Sequence, residues 1–197
     1  MKLRCRFKTS FIAALLLIPT LSHATSLYVR PFSEFTQTAP NMVHGVIRNL
    51  HTENGTTEDG GKTIYTYADF DVKEVIKGKV QHQGEILIRK LGGTKDGLTL
   101  DIPSSVDFSE NEEAVLFLSE VREDRSYEVV GMEMGKFGVK EENGELILTN
   151  GIFALSRTDQ DVDLHNTTSG DLKENLRPWS LNQLRELIKK QTQGNPT

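Results

Sequence analysis

Residues 63–76 read Thr-Ile-Tyr-Thr-Tyr-Ala-Asp-Phe-Asp-Val-Lys-Glu-Val-Ile. Small and apolar side chains alternate with Tyr and Asp as far as Val72, which is the two-residue period of a β-strand. The alternation shifts afterwards because Val75 and Ile76 are adjacent, so we expect a β-bulge near Lys73-Glu74. The stretch therefore predicts one long strand, and it indicates an all-β fold.

Shorter stretches with strand character lie on both sides of it. They cover residues 41–48, 85–91, 97–102, 114–118, 126–130, 136–140 and 145–149. Gly45 predicts a bulge or a close backbone approach, Asn143-Gly144 predicts a hairpin turn, and residues 51–62 read as a polar turn region. Short strands at this spacing are typical of a barrel or a sandwich. We expect one all-β domain over residues 25–155, a small OB-like β-barrel of about five to eight strands.

The C-terminal part predicts one helix, over residues 179–192. Ser180 as N-cap with Gln183 three residues later forms a capping box, and Trp179 can pack on Leu184. The apolar stripe of the helix consists of Leu181, Leu184, Leu187 and Ile188. We expect this amphipathic helix to pack on the barrel; docking on a partner or a membrane is the alternative. Residues 156–178 read as a polar linker and residues 193–197 as a tail.

Residues 1–24 have the pattern of a cleaved export signal. Lys2, Arg4, Arg6 and Lys8 precede the apolar run 11–18, and Ser22-His23-Ala24 offers small residues for cleavage before Thr25. Eight apolar residues span only about 12 Å as a helix, too short for a membrane anchor across about 30 Å of hydrocarbon. The sequence therefore predicts a periplasmic or secreted protein with no membrane span after cleavage.

Removing this leader changes the bulk chemistry. The leader carries four of the 23 basic residues and no acidic residue, so the net charge falls from −5 to −9. A surface this acidic repels phosphate backbones, and we expect no nucleic-acid partner. Cys5, the only cysteine, is also lost, which excludes disulfides and thiol chemistry in the mature chain.

Motifs for catalysis, metals and cofactors are weak, and we predict no site of these kinds. Residues 159–165 begin like a calcium loop but have Leu164 where Gly is needed, and no two His residues have zinc-ligand spacing. Asp69 and Asp71 lie about 7 Å apart on one strand face, within range of an acid/base pair. Any solvent-facing strand shows the same alternation. The candidate binding face therefore consists of Tyr65, Tyr67, Asp69 and Asp71.

Three landmarks carry a resemblance. They are Val43-x-Gly45-x-Ile47, then Tyr65-x4-Phe70 running into Lys77-Gly78, then Glu112-Glu113 before Val115-Leu-Phe-Leu118. Over residues 43–139 the chain resembles the OB-type barrel of netrin-like and metalloproteinase-inhibitor modules, and small exported bacterial proteins with the same landmarks. The resemblance implies an OB-like barrel. Protease inhibition does not follow, since those inhibitors use a disulfide-held N-terminal cysteine.

The sequence thus predicts an exported, non-catalytic binding module for a protein or peptide partner. It does not determine the oligomeric state. A site for a carbohydrate or small molecule is a second binding variant. The alternative class is an envelope hydrolase, or an accessory factor, acting on a carbohydrate or peptide substrate. A binding module should expose Tyr65 and Tyr67 on one face. An enzyme should bring two of His44, His82, Asp69 and Asp71 together in a cleft.

Overall fold

The computed structural model describes residues 36–81, 84–150 and 179–193. Residues 36–38 are helical, and they are followed by nine strands, with a 3₁₀ turn at Met132–Gly135, and by a C-terminal helix. The strands are β1 (Asn41–Thr56), β2 (Lys62–Lys77), β3 (Glu85–Leu91), β4 (Gly93–Lys95), β5 (Leu98–Leu100), β6 (Glu113–Leu118), β7 (Ser126–Glu128), β8 (Lys136–Glu142) and β9 (Glu145–Thr149). The helix α1 covers Leu181–Gln193. The all-β prediction is confirmed.

Seven strands form one sheet, and this sheet is not closed as a barrel. Its order is β7-β3-β2-β1-β6-β8-β9, while β4 and β5 form a separate two-stranded hairpin. The pairs are antiparallel except β3 with β7, which is parallel. A bridge between Leu118 and Val129 brings the chain after β7 onto the end of β6. The predicted barrel closure is corrected to an open sheet, and the OB-like character stays a prediction.

The central strands are covered on both faces, which explains their unusual apolarity. On one face Val43, Ile47, Phe70 and Tyr127 belong to a buried cluster. On the other face Met42 lies in a second buried cluster, which includes the helix. In β6 all residues from Ala114 to Leu118 are buried, with alternate side chains entering the two clusters. A strand buried on both faces has no polar phase, so its sequence does not alternate.

The four residues of the predicted binding face lie on β2, in the long β1–β2 hairpin. Its register skips Lys73, between the pairs His44 with Glu74 and Gly45 with Val72, which confirms the expected bulge. Gly45 lies so close to β2 that a Cβ there would be 2.1 Å from the Asp71 carbonyl oxygen, which confirms the close approach. The predicted turn region 51–62 is wrong in extent: β1 runs on to Thr56 and β2 begins at Lys62.

The end of β2 fastens the segment that precedes β1. The ammonium group of Lys77 donates hydrogen bonds to the carbonyl oxygens of Thr36, Gln37 and Ala39, at 2.9, 3.0 and 2.7 Å. Gly78 has a φ of 82°, and a Cβ there would lie 2.3 Å from the Asn41 side-chain oxygen. The Lys-Gly landmark therefore has a structural role in this chain.

The helix α1 packs on the outer face of the sheet as its stripe predicts. Leu181, Leu184 and Ile188 are buried in the cluster with Phe117 and Phe137. The capping box is confirmed. The backbone N–H of Gln183 donates to Ser180 Oγ at 3.3 Å, and the backbone N–H of Ser180 donates to Gln183 Oε1 at 3.1 Å. In the described ranges no helix is long and apolar enough to cross a membrane. The predicted leader and linker lie outside the described residues, as does the tail except for Gln193, which ends α1; Trp179, predicted as the first helix residue, lies before α1.

Candidate functional site

Two of the four predicted face residues form an aromatic cluster with a cation. The rings of Tyr65 and Tyr67 are 6.4 Å apart, and Tyr67 stacks on His51 at 5.4 Å. The guanidinium carbon of Arg89 lies 4.6 Å from the centre of the Tyr65 ring. Gly55 permits this packing, since a Cβ there would be 2.7 Å from the Tyr65 ring. Tyr65 is only 8% exposed, so the expectation of an openly exposed Tyr65 is corrected.

The other two face residues are bound to β1 instead. Asp69 accepts a hydrogen bond from the Asn49 amide at 3.2 Å, and Asp71 accepts from Arg48 Nε and Nη2 at 3.2 Å. Neither carboxylate lines a cavity next to Tyr65. The predicted face therefore divides into an aromatic half and a half of cross-strand polar pairs.

Tyr65 and Arg89 lie at the junction of two adjoining hollows, of about 480 and about 650 Å³. We call the two hollows together the Tyr65 groove. Both are lined by Glu58 from the β1–β2 turn, Tyr65 from β2, Arg89 from β3 and Arg122 from the loop before β7. The first hollow extends to Leu91 and Met132, and the second extends along residues 119–124. The groove is thus assembled from segments far apart in the sequence.

Ion pairs hold the cations of the groove in place. Arg89, whose side chain is 12% exposed, reaches Glu128 at 2.9 Å and Asp124 at 2.8 Å. Burial works against its charge, but these carboxylates raise the pKa of Arg89 above its usual range. Arg122 pairs with Glu58 at 2.6 Å and with Glu128 at 3.3 Å, so it links the β1–β2 turn to β7. The cations are therefore fixed and locally neutralised.

Apolar side chains are exposed along the same groove. Among the described residues, four large apolar side chains are markedly exposed. Met132 at 51%, Val121 at 38% and Leu91 at 37% all line the Tyr65 groove. The fourth, Leu98, is 70% exposed and lines a neighbouring hollow beside the end of the β1–β2 hairpin. Exposed apolar surface concentrated at one concavity is typical of a binding site.

A second polar cluster surrounds His44, away from this groove. His44 is 4% exposed, and its Nε2 lies 2.8 Å from Glu113 Oε1. His44 is therefore a hydrogen-bonded strand histidine. Lys73 also reaches Glu113 at 2.8 Å, while Arg185 of α1 binds both carboxylate oxygens of Glu74. His44 thus hydrogen-bonds Glu113 and has Glu74 4.0 Å from its Nδ1, whereas its partners do not include Asp69 or Asp71. His82 lies outside the described residues.

Metal ligands do not converge within the described ranges, where no group of three or more His, Cys, Asp or Glu side chains could hold an ion. The calcium-like stretch 159–165 lies outside those ranges. Most residues of the Tyr65 groove, such as Arg89, Arg122 and Met132, were not predicted. Arg89 had a detectable signal, since it shares the strand phase of Leu87 and Leu91 and pairs with Tyr67 across the β2–β3 ladder. Arg122 and Met132 had none, because they lie in irregular segments.

Comparison with known proteins adds no relative. No family model, no curated protein and no solved structure matches this chain. The similarity to netrin-like modules therefore stays a prediction, and the assignment of function rests on the groove.

Proposed function

We propose that the chain is an exported, non-catalytic module that binds a segment of a protein or peptide partner in the Tyr65 groove. The observation that carries the proposal is the concentration of Leu91, Val121 and Met132, all exposed, around one concavity. Its two hollows have the volumes of typical ligand sites, and an extended chain could pass from one to the other. Export is inferred from the leader pattern of residues 1–24.

The fixed ion pairs support recognition rather than chemistry. Arg89 and Arg122 are held between carboxylates from three different segments. The floor of the groove, formed by Tyr65 and these two arginines, therefore keeps its shape without a ligand. A preorganised surface loses less conformational entropy on binding. The groove therefore suits an extended segment that contributes apolar side chains.

Site-specific photo-crosslinking in the exporting cell tests the proposal. A photoreactive amino acid is placed at Met132 in the full chain, and in a matched control at Lys140, which is exposed on β8. We expect a discrete adduct from position 132, absent from position 140. Identical adduct patterns at both positions would contradict binding in the groove.

A separate assay tests the proposal that the chain is non-catalytic. The purified chain is assayed for hydrolysis of ester, glycoside and peptide substrates, beside the Arg122→Ala variant. We expect no turnover by either protein. Turnover that Arg122→Ala abolishes would instead support the hydrolase alternative.

A further inference from the structure

We propose that the segment bound in the Tyr65 groove carries a large apolar side chain flanked by Lys or Arg. This inference rests on the proposed function and specifies the chemistry of the partner. It follows from two features of the groove, its apolar walls and the sign of its unneutralised charge.

The apolar part of the partner is set by the first hollow. Leu91 and Met132 are exposed at its sides, and Ile102, Val106 and Val129 also line it. Tyr65 contributes its ring, covered on one face by Arg89. Burial of a Leu, Met or Phe side chain here would remove exposed apolar surface on both molecules, which favours binding.

The charge of the groove is set by an excess of carboxylates. Six carboxylates line the two hollows, against three cations. The carboxylates belong to Glu58, Asp59, Glu120, Glu123, Asp124 and Glu128. The cations are Arg89, Lys90 and Arg122.

All three cations already have carboxylate partners. Arg89 and Arg122 pair within the groove, and Lys90 reaches Asp107 at 3.3 Å. Asp59, Glu120 and Glu123, by contrast, form no ion pair with any basic side chain in the part of the chain that the structure describes. The charge left for a ligand is therefore negative, at the β1–β2 turn and along the loop before β7.

An acidic segment fits this surface poorly. Its carboxylates would approach Glu120 and Glu123, and at Arg122 they would meet a guanidinium that is already paired with Glu58 and Glu128. A basic segment instead finds Glu120 and Glu123 without a basic partner, and opposite charges at an interface also speed association. A segment with both an apolar anchor and flanking basic residues satisfies both features.

Fluorescence anisotropy with four short labelled peptides tests the inference on the full chain. Three share a central Phe and differ in flanking residues, which are Lys, Ser or Glu. The fourth keeps the Lys residues and replaces Phe by Ser. We expect the Phe–Lys peptide to bind at least about fivefold more tightly than each of the others. A factor of about five is the scale of one exposed ion pair, and the loss of a buried Phe ring should cost at least as much. Added salt should reduce its advantage over the Phe–Ser peptide.

Two double variants distinguish the effect of charge in the groove from the effect of the net charge of the protein. Glu120→Lys with Glu123→Lys reverses the charge of the groove, and Glu141→Lys with Glu142→Lys makes the same net change on β8. All four glutamates are exposed, so both variants should fold, as circular dichroism can verify. We expect the preference for Lys to be lost in the first variant and kept in the second.

The possible failures are distinguishable. Equal binding of the Phe–Glu or Phe–Ser peptide overturns the basic preference but leaves a peptide groove in place. Equal loss of binding in both double variants would mean that the preference for Lys depends only on the net charge of the protein, which overturns the inference. Failure of every peptide to bind, together with absence of a crosslinked adduct at Met132, overturns the proposed function as well.

Discussion

Arg89 covers the ring of Tyr65, with its guanidinium carbon 4.6 Å from the ring centre, and it binds Asp124 and Glu128 with the same group. One cation therefore joins the β2–β3 hairpin to the loop before β7 and to the end of β7. The floor of the Tyr65 groove depends on this contact. Its loss should affect both the stability of the fold and binding.

Arg89→Ala should lower the free energy of unfolding by about 2–3 kcal/mol, because two carboxylates lose a charged hydrogen-bond donor and Tyr65 loses its covering group. Urea denaturation measures the change. Arg89→Lys should lose less, since it keeps the charge but not the two-pronged geometry. An Arg89→Ala protein as stable as the wild type would show that the contact is unimportant.

Gly45→Ala tests the close approach of β1 and β2. The new Cβ would lie 2.1 Å from the Asp71 carbonyl oxygen, so the backbone must move, and we expect the free energy of unfolding to fall by about 3 kcal/mol, the upper end of the usual cost of overpacking. The matched control is Gly138→Ala, whose Cβ would meet the Thr149 hydroxyl at 3.0 Å, a side chain that can rotate away. Equal thermal stabilities of the two variants would contradict the close approach.

Leu184→Ala tests the docking of α1. Leu184 is fully buried in the cluster between the helix and the sheet, and its truncation should cost about 2–5 kcal/mol in urea denaturation. Lys190→Ala, on the exposed side of the same helix, should stay within about 0.5 kcal/mol of the wild type. A small loss in both variants would mean that α1 contributes little to the fold.

Acid should weaken the attachment of α1 to β2. The hydrogen bond from Arg185 lowers the pKa of Glu74 below its ordinary 4.5, although burial acts in the opposite direction. Burial also opposes ionisation of Glu113, but hydrogen bonds from Lys73 and His44 lower its pKa overall. Below 4.5 the unfolded chain therefore binds more protons than the folded chain, and stability falls as the pH drops through the folded pKa values.

Thermal unfolding between about pH 6 and pH 3 measures this effect. Glu74→Gln should be less stable than the wild type at neutral pH and should lose less stability in acid, so the two curves converge. Glu141→Gln, at an exposed position on β8, should follow the wild type. Parallel curves for Glu74→Gln and the wild type would show that Glu74 does not contribute to the loss of stability in acid.

The long strand β2, its bulge and the helix cap were predictable because each depends on neighbouring residues. The alternation of residues 63–72 defines a strand with one buried face, and Ser180 with Gln183 defines a helix start. Barrel closure was not predictable in the same way, because it depends on which strands meet. The unbroken apolar run Ala114–Leu118 did carry a signal: a strand with a solvated face would alternate, whereas this one is buried on both sides.

The candidate site was only half predictable. Tyr65 and Tyr67 share a strand phase that is visible in the sequence, and Arg89 shares the phase of Leu87 and Leu91 in the next strand. The phase alone could not show that Asp69 and Asp71 are bound to Asn49 and Arg48, since cross-strand partners depend on register. Arg122 and Met132 reach the groove through irregular segments, whose course is set by tertiary packing.

The most direct test of the Tyr65 groove is a map of backbone amide chemical-shift changes as the Phe–Lys peptide is added to the isotope-labelled chain. We expect the largest changes at Leu91, Val121 and Met132, with little change at the β8–β9 turn around Asn143-Gly144. Largest changes at that turn or along α1, with Leu91 and Met132 unaffected, would contradict the assignment of this groove as the binding site.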